Sequence, residues 1–314
     1  FGSCCAAERA GKPALTRPAR CRYKAVMQFD FSSPTPLAYF ATLVQRDDGL
    51  PLLEAAASLG QDDHPALDVQ QVLHDVDQLA ARLQRRVKPD ADAMERLRAL
   101  NQFFFGDLGF AGNVNDYYNP DNSFLHAVLH TRRGIPISLA VLWLELAQGL
   151  GLQAEGVGFP GHFLVQVNLN EGRVVIDPFT GQSLGRSELR ERIEEIHPDL
   201  AAAPGGDLPL ALYLRPASPR QILARMLRNL QDIHRTQEDW RRFVQVQDRL
   251  ITLLPDAWPE YRDRGLALAE VGEAGRAHAD LALYLREARQ ASDLERVAER
   301  LDALGMGGEF PDTK

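Results

Sequence analysis

From Thr35 to about Phe105 apolar residues recur at three-to-four spacing, which predicts helices over 36–45, 51–59, 66–86 and 90–105. Breakers separate them at Asp47-Asp48-Gly49, between Gly60 and Pro65, and at Lys88-Pro89; Asp90 is the expected N-cap of the fourth. That helix runs into Phe103-Phe104-Phe105, read as a core anchor because phenylalanine is so often buried. Residues 106–121, rich in Gly, Asn, Asp and Tyr, suit a loop. A short helix from Asn122-Ser123 to Thr131 and a longer one from Pro136 or Ile137 to Gly149 follow. The period then changes to two. Strands are expected over 153–157, 162–169 and 173–177, the second placing Phe163, Val165 and Val167 on one face and His162, Leu164 and Gln166 on the other. Asn170-Glu171-Gly172 is the turn between the second and third.

A charged helix spans 187–196, a Pro/Gly/Ala-containing connector 197–219, and four further helices follow. Windows of 34 residues, 224–257 and 258–291, hold two helix-turn-helix units in register, as in tetratricopeptide repeats. The second unit has the small pair Gly265 and Ala277 twelve apart; the first has Gln231 and Phe243 there, and Arg289 stands where proline is usual. Residues 294–304 read as a capping helix. Two repeats are fewer than independent stability needs, so they are expected to pack on the preceding domain.

The architecture expected is α+β: a helical N-terminal part, a helix-and-antiparallel-sheet core, then an all-α repeat region. The divisions are 1–26, a basic segment; 27–196, the helical plus sheet domain; 197–219, connector; 220–304, repeats; and 305–314, tail.

Charge and cysteine usage narrow the chemistry. The chain carries a formal charge of -8, yet residues 1–26 hold six Lys/Arg against Glu8, leaving -13 from Met27 onward. Nucleic acid is not expected as a partner of so acidic a body, because its binding relies on Lys/Arg at phosphates. The longest apolar run, 139–146, contains Glu145 and falls short of the ~20 residues of a spanning helix, so no membrane is implied. Cys4, Cys5 and Cys21 all precede Met27, so thiol catalysis, disulfides and cysteine-held metal are not expected in the body. The basic segment reads as a transit peptide, a disordered arm or translated sequence upstream of the true start. The last is favoured, because a normal-looking domain opens at Met27 and no ~7–15-residue apolar signal core precedes it. Cytoplasmic residence is the expectation.

Ser138 in the first turn of an apolar helix, His162 at the start of a strand and Asp177 at the end of the next follow the order of a nucleophile–base–orienter site. If the two strands are antiparallel neighbours, His162 and Asp177 fall together at one sheet edge. A hydroxyl at the first position needs a base within ~2.6–3.2 Å, whereas a thiol would ionise more readily beside the helix dipole. Each residue also has a structural reading: a helix cap, a strand-end histidine and a turn starter. Asn115, Tyr117, Tyr118, Asn122 and Phe159 are the candidate pocket residues, although the asparagines also suit caps and turns. His126 and His130, four apart on a helix, have a zinc-compatible spacing but lack the glutamate of the zinc-protease motif and are read as incidental. No cofactor or metal is assigned.

The stretches Asn122-Ser123, Arg133-Gly134-Ile135-Pro136-Ile137-Ser138, Gly158-Phe159-Pro160-Gly161-His162-Phe163-Leu164 and Ile176-Asp177-Pro178-Phe179 resemble the SirB-type family of bacterial proteins, over about Ala38 to Leu304. The resemblance implies that the α+β core is a transglutaminase-like (papain-like) domain, joined to C-terminal tetratricopeptide repeats. It also implies a Cys-His-Asp site, of which His162 and Asp177 are present while Ser138 stands in the cysteine's place. Two functions follow as expectations. One is a protein- or peptide-binding, regulatory module without thiol acyl transfer, engaging partners through the cleft and the repeats. The other is a serine-dependent amidase or acyl hydrolase using Ser138, His162 and Asp177.

Overall fold

The computed structural model describes residues 34–196 and 210–306, so the expectations for residues 1–26 and for most of the tail and connector lie outside the described residues. Four helices come first: α1 (Pro36–Leu43), α2 (Leu52–Ser58), α3 (Val69–Gln84) and α4 (Ala93–Asn101). The cap of α4 is Asp92 rather than Asp90. Glu95 lies three residues after Asp92, so the two side chains satisfy each other's backbone N–H groups in a capping box. After α4 the chain widens into a π-helical stretch, Gln102–Asp107, in which Phe103 and Phe104 are fully buried in the core.

Two very short strands, β1 (Ala111–Gly112) and β2 (Arg133–Gly134), pair in parallel, with α5 (Leu125–Thr131) between them. A two-residue strand is too short to show alternation, which is why both positions read as loop in the sequence. Next comes α6 (Pro136–Gly149), which is buried on nearly every side in its first two turns, from Pro136 to Trp143. It leads into the antiparallel meander β3 (Ala154–Val157), β4 (Leu164–Leu169), β5 (Gly172–Ile176) and β6 (Ser183–Leu184), ordered β3-β4-β5-β6.

The period-two pattern of β4 sorts side chains into two cores. Phe163, Val165 and Val167 join the main core with α6, and Leu164 joins Val157, Phe159 and Val175 against Leu189 and Ile193 of α7 (Arg186–Ile196). The sheet is therefore sandwiched between the central helix and a single amphipathic helix whose charged face remains in water.

After the short α8 (Leu210–Tyr213), residues 216 and 217 run beside β3, with the Ala217 N–H donating to the Gly156 carbonyl (2.8 Å). They lead into α9 (Pro219–Thr236), α10 (Trp240–Leu253), α11 (Trp258–Glu270), α12 (Ala274–Glu287) and α13 (Leu294–Met306). The first pair belongs to the main core: Ile222, Leu223, Met226, Leu227 and Leu230 of α9 and Val246, Leu250 and Leu253 of α10 cluster with residues of α1, α2 and α6. Polar ties reinforce the seam, with Arg242 on Asp63 (3.1 Å) and Arg249 on Asp62 and the Ser58 carbonyl. The repeats thus begin inside the front domain's core.

Gly265 explains the small pair of the second unit. A Cβ there would lie 2.8 Å from Leu281 Cγ and 3.2 Å from Asp280 Cβ, so α11 and α12 approach as closely as their backbones allow, with Ala277 wholly buried at the same contact. Gly265→Ala is expected to destabilise by about 1–2 kcal/mol in urea titrations. The overpacking penalty outweighs the gain in helix propensity because the new methyl meets Leu281, which is wholly buried, at 2.8 Å and Asp280 Cβ at 3.2 Å.

Candidate functional site

His162 and Asp177 meet at one edge of the sheet because β4 and β5 are antiparallel with Val165 opposite Ile176, so the residues just before β4 and just after β5 are neighbours. Their side chains are 2.8 Å apart, through His162 Nε2 and Asp177 Oδ1. Asp177 is 1% exposed and His162 22%.

The Asp177 carboxylate is held from three directions. Oδ1 also accepts the Phe179 N–H (2.9 Å), closing a turn over Pro178, and Oδ2 accepts from Arg192 Nη2 of α7 (3.0 Å). Burial alone would push its pKa up. The His162 hydrogen bond and charge, the Phe179 N–H and Arg192 together outweigh burial and hold the carboxyl below the ordinary carboxylate value. Asp177 is thus a fixed anion. A ring proton on His162 Nε2 would satisfy Asp177 Oδ1, which in the neutral imidazole makes the other nitrogen, Nδ1, the acceptor.

Phe179 anchors the same corner. Its ring lies over Gly112, where a Cβ would come within 2.2 Å of it, and its carbonyl accepts the Gly112 N–H (2.8 Å). The ring stands 6.3 Å from that of His162 and 6.0 Å from that of Tyr117. A pocket of about 310 Å³ opens here, walled by Pro160, His162, Asp177, Phe179, Arg192 and Glu195 among others.

Ser138 is placed differently. It is the third residue of α6, wholly buried, and its hydroxyl donates to the Asn122 carbonyl (2.6 Å), with the Ile135 carbonyl also in reach at 3.0 Å. The same oxygen accepts the Ile135 N–H (3.2 Å), which also reaches the Asn122 carbonyl (3.2 Å), so the three groups form one closed backbone-and-hydroxyl cluster. Gly134 packs so closely on it that a Cβ there would lie 2.7 Å from Oγ. Among the described residues the hydroxyl's hydrogen bonds all go to the backbone of residues 122 and 135, and Ser138 is absent from the wall of the His162 pocket. Ser138→Ala is expected to lower stability by about 0.5–1.5 kcal/mol, read by thermal or urea unfolding, because the hydroxyl's bonds are lost while the Ile135 N–H and the Asn122 carbonyl keep each other as partners.

The remaining candidates divide. Asn122 is buried and structural in its contacts: its side chain donates to the carbonyls of Asp116 (2.6 Å) and Tyr117 (3.2 Å) and accepts from Asn113 (2.9 Å), shaping the 113–117 loop. Tyr117 and Tyr118 sit on that loop, ring centroids 5.3 Å apart, with Tyr118 largely in solvent. Burial and the neighbouring Tyr118 push the Tyr117 pKa up. Asn115 is exposed. Phe159 lies in the core beneath the sheet, while its carbonyl accepts from Arg225 Nη1 (3.2 Å). His126 packs against His64, centroids 4.6 Å apart, whereas His130 is exposed.

Sequence reasoning missed Arg192 and Arg225. Each comes from a helix whose rotation against the sheet is set by packing, so no local signal marks it. Phe179 stood within the Ile-Asp-Pro-Phe segment but was not singled out.

Residues 70–228 match the model of the transglutaminase-like superfamily and residues 230–302 a tetratricopeptide-repeat model. A UPF0162 protein of Xylella fastidiosa (strain 9a5c) is 39% identical over 243 residues, 76% of this chain and 85% of the relative. One from Pseudomonas aeruginosa is 29% identical over 255 residues, 81% and 90% of the two chains. F-box only protein 21 of Mus musculus is 32% identical over 148 residues, 40% of this chain and 24% of the mouse protein. A transglutaminase-like domain continued into tetratricopeptide repeats suggests a protein-binding module, and no described helix is long and apolar enough to cross a membrane. Similarity over most of both chains, with the matching pair of domain models, makes this chain a member of the transglutaminase-like superfamily and of its bacterial UPF0162 proteins.

Proposed function

We propose that the protein is a peptide- or protein-binding, regulatory module whose transglutaminase-like cleft works without acyl transfer, and whose repeats supply a second contact surface. The observation that carries this reading is the state of Ser138. A nucleophile needs its lone pair free and its proton facing a base. Here the proton is directed to a carbonyl, the oxygen caps a helix N–H, and no solvent reaches it. Cysteine is confined to the first 26 residues, so no body residue supplies a thiol in its place.

The repeats support a binding role. Between α9, α10 and α11 lies a pocket of about 390 Å³ with Trp240 and Phe243 at its base and Arg235, Arg262 and Glu270 around it. An aromatic floor with a charged rim is the composition that protein contacts favour. The experiment is panning of a displayed random-peptide library on the full chain, with selected sequences remeasured as synthetic peptides by fluorescence anisotropy. Saturable binding that weakens in His162→Ala or Arg262→Ala supports the reading. Failure to enrich any sequence above a scrambled control contradicts it.

One observation favours the hydrolase as the second reading. The His162–Asp177 pair is ordered, charge-tuned and open to a pocket, which is the base–orienter half of an acyl-transfer site. In that reading Ser138 would have to leave its helix turn to reach His162. Turnover of an amide or ester substrate that disappears in both Ser138→Ala and His162→Ala would establish it.

A further inference from the structure

Beside the His162 pocket, and sharing Pro160 and Gly161 with it, lies a larger pocket of about 510 Å³ between the 158–161 turn, α8 and α9. Three arginines line it, on a body whose net charge from Met27 onward is -13. They are not equivalent. Arg228 is spoken for, since its Nε and Nη2 both reach Glu260 Oε1 (3.3 and 3.0 Å). Arg215 is exposed and has no ion pair among the described residues.

Arg225 is half-buried. Its guanidinium lies 5.7 Å from the Phe163 ring centroid and Nη1 donates to the Phe159 carbonyl, but no carboxylate faces it among the described residues. Nη1 is the only one of its nitrogens with a hydrogen-bond partner there. That leaves Nε and Nη2, the edge that grips a carboxylate with two parallel hydrogen bonds. A half-buried cation without a counter-ion is costly, and the cost falls when an anion arrives. Burial accordingly pulls its pKa down, against the weak opposing influence of Tyr117. The other walls mix the polar side chain of Gln221 with apolar surface from Pro160, Pro216 and Leu212, the last 54% exposed.

We infer that this pocket seats the carboxylate of a peptide, gripped by Arg225 with Arg215 at the rim and an apolar side chain against Leu212 and Pro216, so that the peptide backbone leads toward His162. The inference rests on the peptide-binding reading of the cleft and adds a ligand class and an anchor to it. The pocket's size suits a dipeptide end. A carboxylate fits better than a bare phosphate because the planar Nε–Nη2 edge of Arg225 matches its two oxygens, and Leu212 and Pro216 offer apolar contact to the rest of a peptide that phosphate would leave unused.

The test is a ¹H–¹⁵N NMR titration of the full chain with N-acetyl-Leu-Phe as free acid, its C-terminal amide, N-acetyl-Asp-Leu-amide, and inorganic phosphate. The Arg225 Nε–H and the 158–161 amides are followed. The expected result is saturable shifts with a carboxylate-bearing peptide, weakened by roughly tenfold or more in Arg225→Gln and partly restored in Arg225→Lys, with an unchanged spectrum elsewhere. Comparing the first and third peptides tells a chain terminus from an acidic side chain. Should Arg225→Gln not fold, Arg215→Gln serves, with a smaller loss expected. Equal shifts from acid and amide at His162 and Phe179 would sink the anion seat while keeping the cleft reading. No shift at either pocket with any peptide would sink both, and tighter binding of phosphate than of either acid would overturn the carboxylate assignment.

Discussion

Asp177→Ala is expected to destabilise the protein by about 2–4 kcal/mol and to dismantle the corner that holds His162. The carboxylate is 1% exposed and its removal orphans three donors at once: His162, Arg192 and the Phe179 N–H. Breaking a buried ion pair by deleting one partner costs more than the pair contributes, because the other charge stays behind. The figure sits toward the lower part of that range because Arg192 and His162 retain some access to water. Asp177→Asn should recover part of the loss by keeping the Phe179 bond. The pH dependence has a definite sign. The folded carboxyl titrates below its unfolded value of about 3.9, so its stabilisation is complete above that pH and is lost as pH falls through the lower folded value. The contribution of the Asp177 carboxylate to the gap between wild type and Asp177→Ala should therefore be complete above about pH 4 and close progressively as pH falls below it. Urea titrations across that range give the answer directly.

Arg249→Ala should cost about 3–4 kcal/mol. Arg249 belongs to α10 yet is 1% exposed and buried among residues of the front domain, on Asp62, on the Ser58 carbonyl (3.1 Å) and over the Phe40 ring at 5.0 Å. Truncation leaves Asp62 and a buried carbonyl short of partners and opens a cavity where the side-chain stem packed. Arg249→Met, which keeps the volume, should lose less, separating the packing loss from the charge loss. Because α9 and α10 share the main core, unfolding should remain a single transition in both variants. Amides of α9 and α10 should exchange with the same opening free energy as those of α6. Earlier opening of α9 and α10 would show that the repeats stand apart from the domain.

The course of the sheet and the meeting of His162 with Asp177 were legible because two short-range signals agree. Alternation in 162–169 assigns the faces, and the Asn170-Glu171-Gly172 turn makes β4 and β5 antiparallel neighbours, which carries their outer ends to one edge. The helices were legible from their period, within a few residues at the ends. The one shifted cap, Asp92 for Asp90, turns on the side chain of Glu95 three residues on. What escaped was set by longer-range packing. Ser138 lies in the expected first turn, but its hydroxyl bonds to a carbonyl sixteen residues earlier, a contact between two helix starts that neither helix's own period marks. Arg192, Arg225 and Arg249 look like surface charges of amphipathic helices, and only docking of those helices reveals which side chains face a carboxylate, a pocket or the core.

The role of Ser138 is the most direct point of decision. Intact-mass analysis of the full chain and of Ser138→Ala after treatment with a fluorophosphonate, with peptide mapping of any adduct, measures it without knowledge of a substrate. A hydroxyl committed to the Asn122 and Ile135 backbone is expected to give no adduct at Ser138 and the same mass profile in both proteins. A stoichiometric adduct on Ser138 that requires His162 would contradict the binding-module reading and establish a serine acyl-transfer site.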